Sequence, residues 1–172
     1  LLVEPSRPSA PDARWEVRAW LDWALREYLP YRFWLEENGR CDVEVAAYAD
    51  TYADWLYASF PSLLSSGTFR QMGYRAILNS LPTGPHDDSI LLFVIIDNMN
   101  SKFADDLVEL MRSRGFSVAG SEPYLSMLPS ATEVSKKAMA VGRVVPFDGT
   151  AYQRPVEKAW GDHSGRKVRY LG

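Results

Sequence analysis

Between Ser89 and Asp97 the chain reads S-I-L-L-F-V-I-I-D, an unbroken apolar run, Ile90 to Ile96, that stops on a carboxylate. A run this apolar and this rich in β-branched residues, with no polar alternation, predicts a central strand covered on both faces. A shorter apolar run, Tyr124 to Leu128, breaks at Pro129 and delivers Ser130 and Thr132 to the start of a helix. An acid at the end of one buried strand and a hydroxyl at the strand-to-helix turn of another stand where open α/β sheets place their ligand crevice. A carboxylate and an alkoxide so placed can share a divalent metal.

The chain before this point reads as helical. Residues 1–12 carry three prolines and read as a linker, and residues 13–81 as a helical subdomain. Trp15, Ala19, Trp20, Trp23 and Ala24 recur at helical spacing, and Pro30 should end or kink that segment. Asp42 is placed to cap a helix bearing Val45, Tyr48, Tyr52 and Trp55, which Pro61 should stop. A further helix is expected over Phe69–Leu78. Aromatic residues at this spacing read as core.

Residues 88–172 read as the α/β part. Asn98 or Asn100 can cap a helix over Phe103–Arg114, which Gly115 closes, and Phe116–Ala119 reads as a short strand. A helix from Ala131 or Thr132 should end at Gly142. Another helix is expected over Tyr152–Trp160, and a closing strand over Lys167–Leu171. The fold expected is thus a helical segment followed by a mainly parallel sheet with flanking helices.

Thr132 and Ser130 compete for the chemical role. Ser130 follows Pro129 directly and has Glu133 three residues on, the pattern of a capping box, which leaves Thr132 to face the crevice. A threonine hydroxyl is a poor nucleophile at neutral pH, and a divalent metal lowers the pKa of an oxygen acid bound to it. Free N–H groups at the helix start suit a phosphoryl oxygen. Lys136 and Lys137 follow one turn later, within reach of a phosphate.

The order I-I-D-N-M, then a helix, a strand and L-P-S-A-T-E-V-S-K-K-A-M-A-V-G resembles the PglZ domain, a branch of the alkaline phosphatase superfamily. The likeness covers about Tyr48 to Gly142. In that superfamily an Asp ending the first core strand binds metal, and a Thr or Ser at a helix start is nucleophile and metal ligand. The resemblance implies these roles for Asp97 and Thr132. Asn98 stands where many members carry a small residue and, with Lys136, is a candidate substrate contact. Two divalent ions are implied, zinc by preference, with manganese or magnesium as substitutes. The family's later Asp and His ligands have no match at His86 or His163, which read as surface residues. The chain is therefore expected to be the first half of a metallohydrolase domain, incomplete by itself, with further ligands beyond Gly172.

The implied activity is a metal-dependent phosphatase or phosphodiesterase. PglZ domains occur in bacterial anti-phage systems of the BREX and Pgl type and in some response regulators. Nucleic acid or nucleotides are thus the expected substrates, and other defence proteins the expected partners. The alternative is a non-catalytic scaffold of such a complex, docking through its aromatic helices.

Composition agrees with an ordinary globular chain: 47% of the 172 residues are apolar and 24% charged. The single Cys41 excludes an internal disulfide and a cysteine-built metal site. No apolar run is long enough to cross a bilayer and no signal-peptide pattern opens the chain, so a cytoplasmic location is expected. The chain starts on Leu1 and is expected to be cut from a longer protein. Walker A, G-x-G-x-x-G, H-E-x-x-H and nucleophile-elbow patterns are absent. The net charge of −3 conceals an asymmetry: Lys136 to Gly172 carries +5, and the remainder −8. A basic tail of this kind reads either as a solvated surface or as a patch that steers a phosphorylated substrate.

Overall fold

Tryptophan burial organises the first part of the molecule. The computed structural model describes residues 3–66, 90–97, 99–128, 130–144 and 153–169. The chain divides into two compact units, one of Leu1–Ser62 with Asn98–Pro123 and the other of Leu63–Asp97 with Tyr124–Gly172. In the first unit α1 (Val17–Trp23) and α2 (Leu29–Glu37) are followed by the long α3 (Val43–Ser66), which belongs to this unit as far as Ser62. Trp20 is wholly buried, and Trp23 and Trp34 nearly so. The Trp20 ring meets Trp15 and Trp23 edge to face at 5.3 and 5.6 Å and stacks on Trp55 at 5.0 Å. Edge-to-face and offset contacts of this kind satisfy the ring quadrupoles, so the aromatic stripe is spent on packing.

Pro30 distorts the helical path without ending it, and Pro61 departs from expectation. Lacking an N–H, Pro30 cannot bond the Arg26 carbonyl, and the chain widens into a π-helical turn over Ala24–Tyr28, where the Leu29 N–H donates to Ala24 O. Pro61 does not stop α3, which continues to Ser66. The carbonyl that Pro61 leaves without its helical donor belongs to Tyr57, which is 70% exposed and open to water.

Asp42 caps α3 as its position predicts: Oδ1 accepts from the Val45 N–H at 3.1 Å. The same carboxylate receives Arg7 Nε at 2.8 Å and the Tyr31 hydroxyl at 3.3 Å. Arg7 also donates to Glu44 at 2.7 Å. Further along, the Trp23 indole N–H donates to Ser9 O at 2.9 Å. The proline-bearing segment read as a linker is thus strapped onto the helices, with Pro8 buried. A 3₁₀ turn, Ser101–Phe103, capped by Asn100 Oδ1 on the Lys102 N–H, leads into α4 (Ala104–Ser113).

The second unit corrects the expected sheet. Among the described residues there is no strand and no parallel sheet, and the architecture is helical. Among the described residues Leu125 alone makes a bridge; the expected strand over Phe116–Ala119, which lies in the first unit, and residues 167–169 of the expected closing strand carry no ladder. Along Ile90–Ile96 burial alternates: Leu91, Phe93 and Ile95 are half-buried, whereas Ile90, Leu92, Val94 and Ile96 are exposed. The run keeps the two-residue period of extended chain but is covered on one face only. An apolar residue type on both faces does not supply a ladder partner, and that is where the expectation of a doubly covered central strand fails.

What covers the inner face is helical. Leu91 and Phe93 pack on a core of Ala140, Val141, Val156 and Trp160, contributed by α5 (Thr132–Val141) and α6 (Gln153–Ser164). The Phe93 and Trp160 rings lie 5.0 Å apart, and Trp160 Nε1 donates to Ala140 O at 2.8 Å inside this core. Gly142 ends α5 at φ 72°, a left-handed conformation that favours glycine, and its N–H closes on Ala138 O at 2.8 Å. The helix expected over Phe69–Leu78 lies outside the described residues.

Candidate functional site

Packing of Phe93 and Leu91 against α5 and α6 fixes the run that ends in Asp97, and α5 begins at Thr132. The two elements bring the residues together. Thr132 Oγ1 donates to Asp97 Oδ1 at 3.2 Å, although 35 residues separate them in sequence. Both residues are exposed, so the pair lies at the surface and open to a ligand.

The start of α5 differs from the expected capping box. The N-cap position is taken by Ala131, in an extended conformation, and no side chain caps the helix. The Val134 and Ser135 N–H groups donate to Ala131 O, both at 3.0 Å. Ser130 lies one residue too early and is exposed. The Thr132 and Glu133 N–H groups therefore stand at the positive end of the helix without a capping side chain, beside the Thr132 hydroxyl. Lys136 falls one turn after Thr132 on the same helix face. Asn98 lies outside the described residues.

A metal needs more than this pair offers. Among the described residues no three His, Cys, Asp or Glu side chains converge on one point. Zinc takes four ligands, at least three from protein at a catalytic site, whereas Asp97 and Thr132 supply two oxygens. The described residues therefore do not fit a divalent ion by themselves. His163 belongs to a different place, at the side of α6 near Asp162.

Two further features were not legible in the sequence as sites. In the first unit a cavity of about 790 Å³ is lined by Phe33, Trp34 and Phe103 beside Leu25 of the π turn. Arg18 pairs with Asp22 and Glu122, and Lys102 Nζ with Glu37 at 2.9 Å. Asp105 and Asp106 also line it, so its lining carries more carboxylates than cations and is less suited to a phosphate than the Thr132 surface. The second feature is a basic groove on α6. Among the described residues no helix is long and apolar enough to cross a membrane.

No protein family, no characterised protein and no solved structure was found to match this chain.

Proposed function

We propose that Asp97 and Thr132 form the nucleophilic end of a phosphoryl-transfer hydrolase acting on phosphate esters, with nucleotides or nucleic acid as the substrate class. One observation carries this reading: the hydrogen bond from Thr132 Oγ1 to Asp97 Oδ1, at the uncapped start of α5. A hydroxyl nucleophile needs an adjacent acceptor for its proton, and a carboxylate within hydrogen-bond reach is such an acceptor. As the Thr132 oxygen attacks phosphorus, its proton moves to Asp97, the P–O ester bond breaks, and the departing alkoxide takes a proton from water. The hydroxide so formed attacks the phosphothreonine, the P–Oγ1 bond breaks, and Oγ1 takes back the proton held by Asp97, which restores both side chains. The N–H groups of Thr132 and Glu133 are placed to hold a phosphoryl oxygen, and Lys136 to balance its charge. The β-branch of threonine restricts χ1 and keeps the hydroxyl aimed.

The resemblance to the PglZ domain supports Thr132 as the nucleophile; by that resemblance Asp97 would hold a divalent ion, which would lower the pKa of the hydroxyl. Two oxygens do not make a metal site, so the proton-accepting role of Asp97 rests on its hydrogen bond to Thr132 alone. The scaffold alternative draws less support, because Trp20, Trp23 and Trp34, which would dock, are buried in the core.

The test is turnover of a chromogenic phosphodiester by the intact protein supplied with zinc or manganese. Thr132→Ala should lower kcat by at least about a thousandfold, and Asp97→Asn by roughly a hundredfold or more, with unchanged circular dichroism. Undiminished turnover by the Thr132→Ala protein would overturn the nucleophile assignment.

A further inference from the structure

The geometry points to a second site in the same unit, a phosphate-binding groove along α6. Arg143, just past the end of α5, and Arg154 and Lys158 of α6 line a cavity of about 670 Å³, with Asp162 and His163 at one end and Val141 and Ala159 as an apolar floor. The three long cations are exposed, and among the described residues no carboxylate pairs with any of them. The chain as a whole is negative, at −3, and three of the eight basic residues from Lys136 onward line this groove.

Two placements in α6 set a cation against its surroundings, although Lys158 has Asp162 four residues on. Arg154 and Lys158 stand four residues apart on one face of α6, where like charges destabilise a helix. Arg154 also occupies the first turn of α6, a turn that contains no acid, and a cation there opposes the helix dipole. Both placements become favourable once an anion lies in the groove. Two guanidinium groups and an ammonium suit a multiply charged phosphate better than a single carboxylate, since each guanidinium can grip two phosphate oxygens at once. The cavity volume falls in the range that holds a nucleotide-sized ligand.

This groove is not the Thr132 surface. Thr132 opens α5 and Val141 closes it, about 14 Å apart at the α-helical rise. The groove is therefore an independent site for phosphate, carried either by a free polyphosphate or by a nucleic-acid strand. It needs neither a metal nor Thr132.

Its test is direct binding in EDTA, with inorganic pyrophosphate followed by calorimetry and a short single-stranded oligonucleotide followed by fluorescence anisotropy. Saturable, salt-sensitive binding of at least one probe is expected. Binding of pyrophosphate alone assigns a free polyphosphate, binding of the oligonucleotide alone assigns a polymer, and competition between the two assigns the phosphate group itself. The Arg154→Gln, Lys158→Gln double variant should weaken binding by at least about tenfold, and each lost phosphate contact should lower the salt slope by about one. The double variant leaves the Thr132 surface intact, so the loss reports on the groove and not on the catalytic proposal. Lys167→Gln, which removes a charge from the same unit outside the groove, should leave binding unchanged. Absence of saturable binding for both probes, or an equal loss in Lys167→Gln, overturns the groove.

Discussion

Asp42 shows how much a single side chain can organise. Its carboxyl is held down to about 2 from an ordinary value of 3.8, first by the Arg7 guanidinium and then by the Val45 N–H. A group depressed in this way stabilises the fold at and above its ordinary value and loses that contribution as pH falls through about 2. Between roughly pH 4 and pH 2 the Tm of the protein should therefore drop more steeply than that of Arg7→Gln, in which the main cause of the shift is gone. Parallel curves for the two proteins would show that the Arg7 strap does not matter. At this scale the capping role of Asp42 was readable, because an acid just before a helical pattern has one dominant use. The role of Ser130 was not: the capping-box pattern was present, but the helix starts one residue later than that pattern requires. The Arg7 contact, made across 35 residues, leaves no local trace in the sequence.

Among the elements, the tryptophan spacing, the glycine stop at Gly142 and the α6 helix were all legible, since each rests on periodicity or on backbone conformation. Pro61 was misread because the local cost of a proline does not decide whether a helix ends. At Pro30 the chain widens into a π turn, and at Pro61 the orphaned carbonyl belongs to an exposed residue. Pro61 is itself exposed, so Pro61→Ala should restore a helical hydrogen bond at little cost in packing. A gain of about 1–3 kcal/mol in unfolding free energy is expected, measured by urea denaturation. A loss of stability on this change would contradict the reading of α3. The Ile90–Ile96 run was misjudged for a related reason: apolar sequence marks what a segment can bury, whereas a sheet also requires partner strands, and among the described residues none pairs with it.

For the molecule as a whole, charge asymmetry was legible and its focus was not. The basic excess after Lys136 appears in any count, but the grouping of Arg143 with Arg154 and Lys158 depends on how α5 and α6 pack. The juxtaposition of Asp97 with Thr132 was anticipated from two turn positions, yet the sheet expected to bring them together is absent from the described residues. It is instead the packing of Leu91 and Phe93 on the α5–α6 core that carries Asp97 to the start of α5. The account rests on Thr132 as the atom that takes the phosphoryl group. Its most direct test is mass spectrometry of the intact protein, quenched in acid during turnover of a phosphate ester in the presence of zinc or manganese. The account predicts a phosphorylated peptide containing Thr132, absent from Thr132→Ala. Turnover with an unmodified Thr132, or with phosphate on Ser130 instead, would contradict it.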